Sequence, residues 1–404
     1  MILISGTGPR AFCAGGDVAA LAQQNTTGPS GIAASTSYFQ LEYQLDHLIA
    51  TYPKPYIAYM DGITMGGGVG LSVHAPFRIA TERTVFGMPE TSIGFFPDVG
   101  GSFFLPRLEG QLGRYLALTS ATLKGVQAYW TGVATHYIHS STLSSLTARL
   151  SELVFKDYDS IEKRHQSIDA TIEEFSSGLP HDEPILIAGP LREAIDRCFA
   201  PNTVEEIMAA LEREASENQD PTIQEWASTT LETLHEKSPT SLKVALRQLI
   251  IGKTLNITDT FQREAHIAAT FMAHPDFVNG VSAKLIHKPA TKPAWEPARL
   301  QDVTDAEVDR FVDMSGKGKG KMAMLGEGSY MSYPYGSLGL PLEGEVRAKV
   351  VEGEERNMKE LVRAMVKGRK GKVGVKEKVE EILARRCSIG RTGRVLWEGM
   401  KDED

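Results

Sequence analysis

Residues Asp61–Leu105 read DGITMGGGVGLSVHAPFRIATERTVFGMPETSIGFFPDVGGSFFL, and the fold is decided here. Ile63-Thr64-Met65 is a short strand piece running into three glycines, Gly66, Gly67 and Gly68, with a helix expected from about Gly67 to His74. Phe77 to Ala80 and Thr84 to Phe86 are two more short strands. Two acids stand in apolar surroundings, Glu90 after Met88-Pro89 and Asp98 between Phe95-Phe96-Pro97 and Val99-Gly100-Gly101. Glycines that bring backbone close to a ligand, beside carboxylates in apolar context, point to an active site more than to a surface loop.

Upstream, Ile2-Leu3-Ile4 reads as a buried strand. A core strand opening at Met1 leads us to expect further residues ahead of it in the native protein. Gly6-Thr7-Gly8-Pro9-Arg10-Ala11 imitates a loose dinucleotide fingerprint. Pro9 and the Cys13–Gly16 run stop a helix from starting where a pyrophosphate would need one, and no acid follows at the ribose distance. Asp17 is expected to cap a short helix. Residues 25–35, rich in Thr, Gly, Ser and Pro, read as a mobile loop. A helix at about 37–51 is expected to turn Tyr38, Leu41, Leu45, Leu48 and Ile49 inward, with Glu42 near the edge of that face. Pro55 to Met60 forms another strand.

Downstream, the pattern is helical from Gly100 to about Val133, with a last strand at His136–Ile138. It is then mostly helical to about 290, over 142–154, 203–214, 222–236, 240–251, 257–271 and 276–286. Ser238-Pro239 reads as an N-cap with proline in the first turn. Short strands with glycine turns followed by a helical half give an α/β core with a helical cap.

Composition is that of an ordinary globular protein: 404 residues, 42% hydrophobic and 23% charged, with a formal net charge of −8. Three scattered cysteines make neither a disulfide framework nor a zinc site. The histidines show no metal spacing, so no metal is expected. There is no Walker loop and no G-x-S-x-G elbow, and no apolar run long enough to span a membrane. Past Pro297 the character changes. Gly316–Lys321 alternates glycine and lysine and reads as a linker. From Arg356 to Arg394 thirteen basic residues face four acidic ones, a local net of +9 that leaves −17 on the rest. That segment reads either as a solvated tail or as a surface for an acidic partner such as RNA.

Ala14-Gly15-Gly16 and Gly66-Gly67-Gly68 can each present free backbone N–H groups after a strand, the donors that steady a carbonyl oxygen as it turns negative. A carboxylate such as Glu90 or Asp98 could then serve as nucleophile or general base.

These motifs together, from Ala11-Phe12-Cys13-Ala14-Gly15-Gly16-Asp17 through Gly62–Gly70, Met88-Pro89-Glu90-Thr91 and Phe96–Gly101, resemble the crotonase (enoyl-CoA hydratase/isomerase) superfamily, and within it the 3-hydroxyisobutyryl-CoA hydrolases of valine degradation. Asn202–Ile207, Ser238–Lys243 and Pro293–Pro297 agree, so the resemblance covers roughly residues 1–300. It implies a crotonase-like ββα spiral whose first strands lie upstream of Met1. Residues 301–404 would then be an extension beyond the hydrolase domain.

The resemblance further implies an oxyanion hole from the N–H groups of Ala14 and Gly67, with Gly66 beside it. It implies Glu90 as the group that attacks the thioester or activates water, Asp98 as the acid that holds the substrate hydroxyl and assists proton transfer, and Glu42 as a substrate contact. No cofactor is implied beyond the CoA of the substrate. Hydratases carry a second carboxylate just after the glycine triplet; here that place is Gly70, which favours hydrolysis over hydration. Mitochondrial location and a trimer are implied by the family. Fungal relatives are small-subunit proteins of the mitochondrial ribosome, a setting that would suit the basic extension.

Overall fold

The computed structural model describes residues 1–315, 321–353, 357–390 and 393–398; the Gly316–Gly320 part of the expected linker, Arg356 and Arg391 lie outside the described residues. The first 137 residues lay strands alternately into two sheets. β1 (Ile2–Ser5), β3 (Tyr56–Met60), β5 (Phe77–Ala80) and β8 (His136–Tyr137) form one parallel sheet in that order. β2 (Ala11–Cys13), β4 (Ile63–Met65), β6 (Val85–Gly87) and β7 (Leu123–Lys124) form the other. It is parallel except for the β6–β7 pair. Up to β6 consecutive strands therefore step from sheet to sheet, β7 then stays beside β6, and helices α1 (Val18–Asn25), α2 (Pro29–Ala50) and α3 (Gly67–Val73) fill the crossovers. This is the spiral the motifs imply.

The expected helix starts hold. Asp17 accepts the Ala20 N–H at 2.9 Å, and Ser238 accepts the Ser241 N–H ahead of the Pro239–Gly252 helix. Helices Ile161–Glu173 and Gly189–Cys198 were not anticipated. Two readings of the second helix need correction. Residues 29–35 belong to α2, because Pro29 with its fixed φ sits in the first turn and starts the helix in the middle of the expected loop. The helix is also rotated: Leu41 and Leu45 are exposed, while Phe39, Tyr43, Asp46 and His47 are buried. Tyr43 fills the core and two acids follow it inward, an arrangement apolar periodicity cannot reveal.

Residues 301–404 are packed onto this core. Leu340, Val346, Leu361, Val375 and Ile382 join the same buried cluster as Phe86, Phe103 and Leu116. Tyr333 donates to the Ala75 carbonyl at 2.6 Å and contacts the Arg78 guanidinium. Part of the basic segment is folded inward, which corrects the picture of a wholly solvated tail. Lys378 pairs with Glu109 at 2.5 Å and Arg386 with Asp196 at 3.1 Å. Arg385 pairs with Glu343 and Glu381, and Arg369 with Glu345. Lys372 meets Asp169 and Glu173 beside His136. Ligand atoms of His136, Asp169 and Glu173 lie within 4.8 Å of one another, and the Lys372 ammonium already pairs with both carboxylates there. Lys359, Arg363, Lys367, Lys370 and Lys376 stay exposed. Among the described residues, no helix is long and apolar enough to cross a membrane.

Candidate active site

The parallel pairing of β2 with β4 brings the two glycine turns together, because each turn leaves the same end of its strand. A methyl group on Gly15 would lie 3.5 Å from the Gly67 nitrogen, and one on Gly66 would lie 3.5 Å from the Gly15 Cα. Gly66 has φ +50°, the left-handed turn that frees the N–H groups opening α3. A side chain on Gly68 would run into the Cys13 carbonyl, so only glycine lets the turns close on each other. Ala14 and Gly67 thus sit on adjacent turns, at the partly open rim of the site.

Below that rim lie the acids. Glu90 opens the 3-10 turn Glu90–Ile93, is 4% exposed, and its Oε1 is 3.8 Å from where a methyl on Gly66 would stand. Its Oε2 is buried with no hydrogen-bond partner. Burial first, then the negative charges of Asp98 and Glu42, holds its carboxyl well above the ordinary range. Asp98 is 3% exposed and accepts the Tyr43 hydroxyl at 2.6 Å. Burial pushes it up to about 7, and the Tyr43 bond pulls the other way. Glu42 is carried inward by the rotation of α2, with its Oε1 against Gly67. Burial and then Asp98 raise it to about 8. The structure therefore brings Ala14, Gly66, Gly67, Glu42, Glu90 and Asp98 around one place.

Three further groups were missed by sequence reasoning. Tyr43 is the donor to Asp98. Asp46, one helical turn after Glu42, is fully buried with both oxygens unpartnered. Its Oδ2 stands 2.5 Å from the position of a β-carbon on Gly70. The space beside Gly70 is thus occupied by a carboxyl from another helix. Glu264, 0% exposed in the Ile257–Met272 helix, accepts backbone N–H groups just beyond Asp98. The i, i+4 spacing of Glu42 and Asp46 was a usable signal for the second of these; nothing local marks Glu264.

The Tyr43 bond gives a pH prediction. The hydroxyl stabilises the ionised form of Asp98, so Tyr43→Phe raises its pKa and keeps it protonated to higher pH. If Asp98 acts as the acid of the reaction, the alkaline limb of kcat/KM moves up by about one pH unit. A limb that stays in place in a kcat/KM titration would remove Asp98 from that role.

An enoyl-CoA hydratase/isomerase family profile matches residues 1–312. The small ribosomal subunit protein mS47 of Neurospora crassa is 53% identical over 98% of this chain and 79% of its own length. The mitochondrial 3-hydroxyisobutyryl-CoA hydrolase of Gallus gallus is 43% identical over 76% of each chain. Among solved structures, a carnitinyl-CoA dehydratase from Mycobacterium thermoresistibile superposes with a TM-score of 0.66 at 32% identity, covering 80% of this chain and 85% of that one.

Proposed function

The chain belongs to the enoyl-CoA hydratase/isomerase family, and we propose that it hydrolyses the thioester of 3-hydroxyisobutyryl-CoA to 3-hydroxyisobutyrate and CoA. The observation that carries this reading is the unpartnered, buried Glu90 carboxyl beside two apposed glycine turns, with a second acid, Asp98, close enough to perturb it. The 40–43% identity to named hydrolases supports the substrate class. Their mitochondrial names support a mitochondrial setting; a place in valine degradation is proposed from the family resemblance alone.

In the proposed reaction the thioester carbonyl oxygen points at the N–H groups of Ala14 and Gly67. In the reactive form the proton shared by the two coupled acids sits on Asp98; the Glu90 carboxylate, ionised in that form, attacks the carbonyl carbon, and the negative oxygen that forms is held by those two donors. As the C–O bond closes and the C–S bond breaks, Asp98 gives its proton to the departing CoA sulfur. Water then opens the glutamyl anhydride; Asp98 takes its proton, Glu90 is restored and the free acid leaves. The reaction needs no group beyond the CoA thioester and water. Within each turnover Asp98 must release and rebind one proton, which suits a carboxyl poised near 7. Before the chemistry, the substrate hydroxyl is placed against Asp98, and Glu42 lines the entrance. Thiol release from 3-hydroxyisobutyryl-CoA tests the reading. Release no faster than with an unrelated protein would end it.

A second reading has its own observation. The hydrolases match about three quarters of the chain, whereas the ribosomal protein matches 98%, including the extension. We propose that the exposed bases on and after the Met358–Gly368 helix can hold the chain to a mitochondrial ribosomal particle. Lys359, Arg363 and Lys367 recur at one-turn intervals there. Because the inward bases are structural, the test leaves them alone: Lys359→Glu, Arg363→Glu and Lys367→Glu together are expected to abolish co-sedimentation with small subunits at moderate salt, with thiol release unchanged. Undiminished co-sedimentation would clear this face of the role. A trimer remains a proposal from family resemblance.

A further inference from the structure

Asp98 leads into a turn the chain does not adopt easily. Val99 has φ +50° and Gly100 φ +82°. The left-handed region suits glycine and is disfavoured for a β-branched residue, which keeps it only where surrounding contacts impose it. Those contacts come from two distant helices. The carbonyl of Val99 accepts the Nε2–H of His74, at the end of α3, at 2.8 Å. His74 is fully buried and burial lowers its pKa to about 4, so the ring is neutral. Its proton stands on Nε2, because a carbonyl can only accept. The N–H groups of Gly100 and Ser102 both donate to Glu264, at 2.7 Å to Oε2 and 2.9 Å to Oε1. They open helix α4 (Gly101–Phe104), and a single carboxylate straddles the turn. A side chain on Gly100 would strike the His74 ring, so the three groups interlock.

We infer that Glu264, with His74, is a positioning residue that holds the strained Val99 turn and thereby aims the Asp98 carboxyl at the substrate. The inference rests on Asp98 acting in the hydrolysis proposed above. A buried acid 0% exposed is an expensive way to tie down a turn that a neutral side chain could cap. A carboxylate offers two equivalent acceptors to the two N–H groups; glutamine offers one, and its NH2 would face the other N–H. Burial pushes Glu264 itself up to about 8 while its two N–H bonds favour the ionised form, so it brings negative charge to the site toward the alkaline side. Asp98 is faced by Tyr38, Glu42, Tyr43 and Asp46 of α2, by Glu90 of the 3-10 turn and by Glu264 itself. Removing one negative charge from this set makes ionisation of Asp98 easier.

The experiment compares wild type, Glu264→Gln and Glu264→Asp for thiol release from 3-hydroxyisobutyryl-CoA across pH, with the melting curve of each. Glu264→Gln is expected to lower kcat at least tenfold with KM changed less than threefold, and to move the alkaline limb to lower pH. Glu264→Asp, which keeps the carboxylate at shorter reach, is expected to recover part of kcat and the position of the limb. If Glu264→Gln is folded at the assay temperature and retains the wild-type kcat and limb, the inference fails. It fails equally if activity falls only in proportion to the unfolded fraction while the limb stays put. Should Glu264→Gln not fold, His74→Gln tests the other grip: lower kcat at similar KM supports the inference and a wild-type kcat overturns it. An inactive wild type would instead refute the hydrolase reading.

Discussion

Replacing Glu90 with glutamine lowers kcat for thiol release by roughly 10³- to 10⁴-fold, at the upper end for a group that acts on the reacting atoms. Glutamine matches the shape of the side chain and leaves the apposed turns intact, so substrate binding changes little and the loss falls on the chemical step. The amide neither attacks a thioester carbonyl nor takes a proton from water. The same variant is expected to be at least as stable as wild type at pH 8. Glu90 is raised well above its ordinary range by burial and by Asp98 and Glu42. The folded chain therefore holds that proton when the unfolded chain has released it. The resulting stability is full below the ordinary glutamate pKa and is lost as pH rises toward the folded value. Glutamine has no such loss. A melting temperature that drops while kcat drops would mean that Glu90 supports the fold; a thiol-release rate equal to wild type would remove it from the reaction.

The second large effect concerns Asp196, far from the acids of the site. Its carboxylate is 0% exposed and meets Arg192 of its own helix at 3.3 Å, Arg386 of the C-terminal extension at 3.1 Å and the Gln111 N–H at 2.8 Å. Asp196→Ala leaves two buried guanidiniums without this partner. A buried ion pair adds little net stability when intact, because desolvation offsets attraction, but breaking one side strands the other charge. The expected destabilisation is about 3–5 kcal/mol, read as a lower urea midpoint at unchanged slope. Asp196→Asn, which keeps an acceptor for Gln111, should lose less. A loss under about 1 kcal/mol for Asp196→Ala would show that the hold of the extension on the core does not depend on the Asp196 ion pairs.

Much of the core was readable in the sequence because its signals are local. Gly66 and Gly68 mark a turn that only glycine can make, Asp17 and Ser238 cap helices within three residues, and the short apolar runs at 56–60 and 77–80 bound themselves with turns. Glu90 and Asp98 stood out for the same reason. What failed was long-range. Apolar spacing aimed α2 by Leu41 and Leu45, but both are exposed, and the chain instead buries Tyr43 and Asp46. Charge counting along 356–394 could not tell Lys378, sunk against Glu109, from Lys359 in solvent, because the partner lies 269 residues away. Glu264 carries no local mark, since its meaning comes from a turn 164 residues earlier. Nor could local sequence show that the carboxyl of Asp46 lies against Gly70.

The distance between the Asp98 turn and Glu264 also orders events during biosynthesis. At ~5–20 residues per second, roughly 10–30 s pass between synthesis of Gly100 and synthesis of its Glu264 partner. During that interval the nascent chain already has both glycine turns, the acids Glu42, Asp46, Glu90 and Asp98, and the His74 contact to Val99, but not the Glu264 grip on the turn after Asp98. The Tyr333 bond to Ala75 and the Lys378 pair with Glu109 arrive later still. An unfinished chain released early would carry every residue of the acid cluster and still lack a working arrangement of them.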